Sequence, residues 1–171
     1  MISLLECRKI YDEAFCDERE FTDRLFDRCG DYCKTLEKYG NTVSMLFLMP
    51  CILVMHGKKQ NVNYIYAAAT DRKYRGCGYM TELLNNIKKP ENGLLFLKPA
   101  NDDLIKFYSH CGFKTFNAAR YENDEKYIIP HGGFAEISAY CRYENGTYTA
   151  MLYGGNRDID LNGVSFPFTM E

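Results

Sequence analysis

Apolar and polar positions change period several times along this chain, and each change marks an element. From Leu4 to about Arg28 the apolar residues are Leu4, Ile10, Tyr11, Phe15, Phe21, Leu25 and Phe26, with charged residues between them. That spacing predicts two short amphipathic helices, broken near Cys16 to Glu20. Tyr32 to Lys38 and Thr42 to Met55 read as a hairpin turning at Tyr39-Gly40-Asn41. Pro50 cannot donate to a ladder, so it marks an edge, a bulge or a bend in the second strand. After the polar turn Gly57 to Gln60, the run Tyr64-Ile65-Tyr66-Ala67-Ala68-Ala69 has no polar break, which suits a strand buried on both faces. A loop from Thr70 leads into a helical stripe of Tyr79, Met80, Leu83, Leu84 and Ile87, closed by Lys88, Lys89 and Pro90.

Leu94 to Leu97 is a further short buried strand, stopped by Lys98-Pro99. Asn101 is placed to cap a helix whose first turn carries Asp102 and Asp103, where the helix dipole favours negative charge. Gly112 stands where a left-handed residue ends that helix, and Phe113 to Phe116 resumes as strand. Strand, loop, helix, strand, helix, strand is an α/β order with a locally parallel sheet. Beyond Ala118 we expect β structure to the end. Glu136 to Tyr143 and Thr147 to Tyr153 flank the turn signal Asn145-Gly146, and Asn162-Gly163 separates Ile159-Asp160-Leu161 from Val164-Ser165-Phe166. Asn145-Gly146-Thr147 also matches a glycosylation acceptor, but the turn reading is favoured.

Composition narrows the function classes. A chain of 171 residues suits one compact domain with a sizeable core. Net charge is -2, with 21 Lys+Arg against 23 Asp+Glu, so no basic excess points to nucleic acid. The most hydrophobic run, Met45 to Met55, is interrupted by Pro50 and too short to span a bilayer. Eight scattered cysteines form no CxxC pair, so neither zinc nor a disulfide framework is expected, and we read free thiols in the cytoplasm.

The chemistry concentrates between Thr70 and Met80. A helix N-terminus presents N–H groups without partners and a partial positive charge, which favours an anion. Gly76 and Gly78 let a phosphate approach the backbone, and Arg75 adds a charge. No Lys-Ser/Thr follows the glycines, which argues against a P-loop for a mononucleotide. Cys77 has no partner base nearby in sequence and is read as a small loop residue rather than a nucleophile.

These residues resemble the GNAT superfamily of N-acetyltransferases. Its acetyl-CoA loop, Arg/Gln-x-x-Gly-x-Gly/Ala, is matched by Arg75 and Gly78, with Met80 where Gly or Ala is usual. A second signature is Asn, six residues, then Tyr and a Gly-Phe pair, matched by Asn101, Tyr108 and Gly112-Phe113. The resemblance covers roughly Tyr32 to Phe116. It implies an α/β mixed-sheet fold with a cofactor-binding core (32–116), in a single domain over residues 1–171 whose helices (1–31) are read as an acceptor-side wall. The β-rich C-terminal part (117–171) is read from its turn signals and is not explained by the resemblance.

It further implies transfer of an acetyl group from acetyl-CoA to an amine, small molecule or protein, with no metal. Backbone groups of Ala68, Ala69 and Thr70 would meet the pantetheine arm and acetyl carbonyl. Amides of Arg75, Gly76, Cys77, Gly78, Tyr79 and Met80 would hold the pyrophosphate. Asn101 would contact the cofactor, and Tyr108 would face the sulfur as catalytic acid. For the base, Asp71, Glu136, His131 or a water relay all stay open. A homodimer is compatible with the resemblance. The alternative is an acyl-CoA-binding module without catalysis, for which Met80 is the one hint.

Overall fold

The computed structural model describes residues 4–119, 124–139, 146–155 and 159–166. Two helices open the chain, α1 (Leu4–Ala14) and α2 (Arg19–Cys29). A 3-10 turn at Gly30–Tyr32 takes Tyr32 out of the following strand, β1 (Cys33–Lys38), which pairs antiparallel with β2 (Asn41–Met55). The turn at Tyr39-Gly40 uses left-handed backbone at both residues, φ +55° and +77°, which joins two strands tightly. β2 then pairs antiparallel with β3 (Lys58–Thr70). From Val62 onward β3 is buried on both faces, as its apolar run requires.

The α/β unit follows in the expected order: α3 (Tyr79–Ile87), β4 (Leu94–Leu97), α4 (Asp102–His110) and β5 (Lys114–Ala119). Next come β6 (Lys126–Pro130), α5 (Gly133–Ser138) and β7 (Thr147–Tyr153). The seven strands among the described residues join one mixed sheet. Its order is β1-β2-β3-β4-β7-β5, with β6 on β2. The parallel part is confined to β3 with β4, because β7 inserts antiparallel between β4 and β5.

Pro50 marks a change of partner. β1 pairs with β2 only as far as Phe47, and β6 takes over from Cys51. Pro50, with no N–H to give, sits in the gap, and its carbonyl accepts from the amide of His131 at 3.0 Å.

Apolar residues pack on both faces of the sheet. One cluster joins α1, α2 and α5 to Phe47, Tyr64, Tyr66 and Phe96, and includes Leu161, Val164 and Phe166. The other joins α3 and α4 to Leu46, Ile65, Leu95, Leu97 and Met151. α5 corrects the expectation of strand at Glu136: Phe134 and Ile137 are buried while Ala135 and Glu136 are exposed, a helical spacing. Gly133 is required there, since a Cβ would lie 2.0 Å from the carbonyl oxygen of Arg28. Residues 140–145, with Asn145 of the expected hairpin turn, lie outside the described residues. Ile159 to Leu161 is not strand either. It leads into a turn at Asn162-Gly163, where the amide of Val164 bonds to the Leu161 carbonyl, and Ser165 makes isolated bridges to Ala119 and Tyr127.

Candidate active site

The site is built where β3 breaks its ladders. Met45 pairs with Ala69 and Phe47 with Tyr66, so β3 spends one more residue than β2 across that interval. The surplus is a bulge at Ala67-Ala68, and Ala67 has φ +51°, a left-handed conformation that costs a non-glycine residue about 1 kcal/mol. The bulge also defeats strict alternation, leaving consecutive Tyr66 and Ala67 in the α1/α2-side cluster. On the other edge, β3 pairs with β4 only through Val62, Asn63 and Tyr64. From Ile65 to Thr70 that edge has no strand beside it among the described residues, because β4 is short and ends at Leu97. Ala68, Ala69 and Thr70 lie on this parted stretch. Thr70 is tied at both ends: its hydroxyl meets Ser44 at 2.8 Å, and its carbonyl accepts from Nε of Arg75 at 3.0 Å.

Beyond β3 the chain makes a 3-10 turn, Arg72–Tyr74, capped by the Asp71 carboxylate, which accepts from the Lys73 amide at 2.8 Å. Gly76 and Gly78 then both adopt φ +77°, and Gly78 caps α3. The amides from Gly76 to Thr81 donate to no acceptor among the described residues; the first helical bond runs from the Glu82 amide to the Gly78 carbonyl at 3.0 Å. A Cβ on Gly76 or Gly78 would meet nothing within 4 Å. Arg72, Lys73 and Arg75 are exposed and face no carboxylate partner among the described residues. A loop whose amides have no acceptor among the described residues, a helix N-terminus and three nearby cations have the chemistry that suits an anion. Met80 is half-buried and packs against the α3-side cluster, away from this open ground.

Asn101 caps α4 with Oδ1, which accepts the Leu104 amide at 3.0 Å, leaving its amide nitrogen unused among the described residues. Tyr108 is buried against Phe107 and Phe113, ring centroids 5.2 and 5.8 Å away. It shares the α3/α4-side cluster with Ile65 and Leu97, the residues next after the last paired rung of β3 and β4. Its hydroxyl has no hydrogen-bond partner among the described residues. Burial pushes its pKa up to about 12, so it holds its proton at neutral pH.

The three candidate bases are not brought together. Asp71 is spent on its turn. Glu136 lies exposed on α5, 3.4 Å from Arg28. His131 is exposed, its backbone tied to Pro50 in the half of β2 paired with β3 before the parting. What the sequence hid is a buried hydroxyl pair, Tyr66 and Tyr11, 2.9 Å apart though distant in the chain. The only hint was that an apolar run and a helix stripe both carried phenols, whose O–H must find partners when buried. Among the described residues no three His, Cys, Asp or Glu side chains gather as a metal site, and no helix is long and apolar enough to cross a membrane.

A family model for the acetyltransferase (GNAT) family matches residues 2–113, well over half of the chain. The protein belongs to the GNAT family. Among solved structures, a histone acetyltransferase HPA2-related acetyltransferase from Corynebacterium glutamicum aligns with TM-score 0.57 at 15% identity, over 92% of this chain and 96% of that one. A Bacillus subtilis acetyltransferase in complex with CoA aligns with TM-score 0.53 at 12% identity, over 91% and 95%. A GCN5-related N-acetyltransferase from Anabaena variabilis aligns with TM-score 0.56 at 16% identity, over 67% of this chain. This GNAT chain spans 31% of the length of the Anabaena structure. At such identities the likeness is one of fold. No curated protein sequence matches.

Proposed function

We propose that this GNAT protein is an acetyl-CoA-dependent N-acetyltransferase that passes the acetyl group directly to a primary amine. The observation that carries the reading is the run of acceptorless amides from Gly76 to Thr81, set beside the parted edge of β3. The pyrophosphate of the co-substrate is assigned to the amides of Arg75 to Met80, with Arg72, Lys73 and Arg75 adding charge. Ala68, Ala69 and Thr70 offer backbone groups to the pantetheine arm and to the acetyl carbonyl. An N–H aimed at that carbonyl stabilises the negative charge that grows as the amine attacks. The Thr70 carbonyl already accepts from Arg75, so the carbonyl groups offered to the pantetheine arm are those of Ala68 and Ala69. Asn101 meets the co-substrate through its free amide nitrogen.

In the transfer the amine nitrogen bonds to the thioester carbon and the C–S bond breaks. Tyr108 gives its proton to the departing sulfur. A phenol that is buried, lacks a protein acceptor and stays protonated is suited to that task. Met80 packs against the α3-side cluster, which supports the catalytic reading over a binding module without catalysis. We further assign residues 1–31 to the acceptor-side wall and 32–116 to the co-substrate core, and place the reaction in the cytoplasm.

Melting the protein with coenzyme A and with ATP tests the site. A native-state ligand raises the midpoint, so an upshift with coenzyme A is expected; an upshift with ATP alone overturns the assignment. Thiol release from acetyl-CoA, screened against spermidine, an aminoglycoside, a lysine-containing peptide and a peptide with a free amino terminus, tests the transfer. Coenzyme A binding without release on any of these overturns the amine reading.

A further inference from the structure

The attacking amine must lose a proton, and Asp71, Glu136 and His131 are each placed or engaged elsewhere. On the sheet face away from Tyr108, three other groups form a chain. Tyr66 Oη and Tyr11 Oη are 2.9 Å apart, and the Tyr11 hydroxyl donates to Oδ2 of Asp17. A phenol has one proton to give. Tyr11 gives its own to Asp17, so Tyr66 must be the donor to Tyr11, and the chain runs one way: Tyr66 to Tyr11 to Asp17.

Both ends are well placed. Tyr66 immediately precedes the strained Ala67, beyond the last rung shared by β3 and β4. Asp17, in the connection between α1 and α2, lines a cavity of about 490 Å³ with Arg8, Asp12, Arg19 and Asp23. Arg8 is bound to Asp12 and Asp23 at 2.9 and 2.7 Å, and Arg19 reaches Asp23 at 3.9 Å. Asp17 has no ion-pair partner among the described residues, so its carboxylate is not neutralised by either arginine. The rings are gripped: Tyr11 by Phe15 and Phe26, centroids 5.0 and 5.6 Å away, and Tyr66 by Phe47 at 6.3 Å.

We infer that Tyr66, Tyr11 and Asp17 form a proton relay that carries the amine's proton from the bulge of β3 to the cavity between α1 and α2. An N–H bond of the amine breaks and its proton goes to Tyr66 oxygen. The proton of Tyr66 passes to Tyr11, that of Tyr11 passes to Asp17, and Asp17 releases it to water. No tyrosinate forms at any stage, which suits a site where burial pushes the ionisation of Tyr11 upward. Tyr66 is the catalytic member because it meets the amine; Tyr11 and Asp17 act through it.

The inference rests on the N-acetyltransfer reading, so wild-type protein is measured first with coenzyme A and with the best amine of the panel. Tyr66→Phe and Asp17→Asn are then compared. Both keep the local shape, and the Asn carbonyl still accepts from Tyr11 but cannot take its proton. Each variant is expected to keep the coenzyme A melting upshift and to lose about 100-fold in kcat at pH 7. The loss in Asp17→Asn is expected to shrink as pH rises and the amine arrives already neutral, a trend a packing defect would not give. Turnover within threefold of wild type in Asp17→Asn, at constant ratio across pH, overturns the relay and leaves the transferase intact. A wild-type protein with neither upshift nor thiol release overturns both. Should Tyr66→Phe fail to fold, Asp17→Asn decides alone.

Discussion

Gly57 and Gly78 make a matched pair for testing whether the loop before α3 holds the co-substrate. Their φ angles are +76° and +77°, and a Cβ on either would meet nothing within 4 Å. Alanine at either position therefore carries the same intrinsic strain, about 1 kcal/mol, without a clash inside the protein. For a chain of this length that lowers the melting midpoint by roughly 2–4 °C in both variants. The two sites flank β3, whose 13 residues span about 40 Å, so they cannot share a ligand. Coenzyme A at 100 times its Kd adds about 2.7 kcal/mol, an upshift of roughly 5–10 °C in the wild type and in Gly57→Ala. In Gly78→Ala the methyl group would stand in the proposed path of the diphosphate. A 100-fold weaker Kd would leave about 0.4 kcal/mol at the same concentration, an upshift of roughly 1 °C. Differential scanning fluorimetry with and without coenzyme A reads all six midpoints. A full upshift in Gly78→Ala, or its loss in Gly57→Ala, would refute the placement of the anion site.

Tyr108→Phe is expected to lower kcat about 100-fold while the coenzyme A upshift stays, since the ring remains and only the proton is removed; unchanged turnover in a stopped thiol assay would strip Tyr108 of its acid role. The raised pKa of Tyr108 also has a sign for stability. The native state favours the protonated phenol, so stability is intact below about pH 10, the usual tyrosine value, and is lost as pH climbs toward about 12. That loss is about 2–3 kcal/mol, and alkaline melts of Tyr108→Phe should show a smaller decline over the same window than wild type. Asn101→Ala removes the cap of α4 and should cost about 1 kcal/mol by urea titration, with Asn101→Asp recovering most of it. Leu84→Ala, on the buried face of α3, should cost about 2–5 kcal/mol without a specific effect on coenzyme A affinity; a smaller loss would mean the α3-side core is loosely packed.

Much of the fold was legible because local signals and burial agreed. The stripe from Tyr79 to Ile87, the cap at Asn101 and the left-handed Gly112 each specify their element within a few residues, and each formed as read. The loop was legible for the same reason: its glycines and helix start are contiguous. What escaped was set by pairing between distant segments. Nothing in Leu94 to Leu97 says that its second neighbour is Thr147 to Tyr153, or that Lys126 to Pro130 lies on β2. The bulge at Ala67 is visible only as a register mismatch against Met45 and Phe47. Glu136 was misread because the turn signal at Asn145-Gly146 called for a strand before it, and only the tight seat of Gly133 on α2 reveals the helix. Tyr11 and Tyr66 were counted as apolar ring surface, since sequence alone does not say which buried phenols meet.

The interposition of β7 between β4 and β5 has a consequence for biosynthesis. A nascent chain that has emerged only through Ala119 holds β4 and β5 with the strand that belongs between them still unmade. Two unsatisfied strand margins, Leu95 to Leu97 and Lys114 to Ala119, would then wait for residues 147–153, inviting chaperones or self-association in the interval. A chain shortened to residues 1–119 should accordingly accumulate in inclusion bodies, whereas one carried past Tyr153 should not.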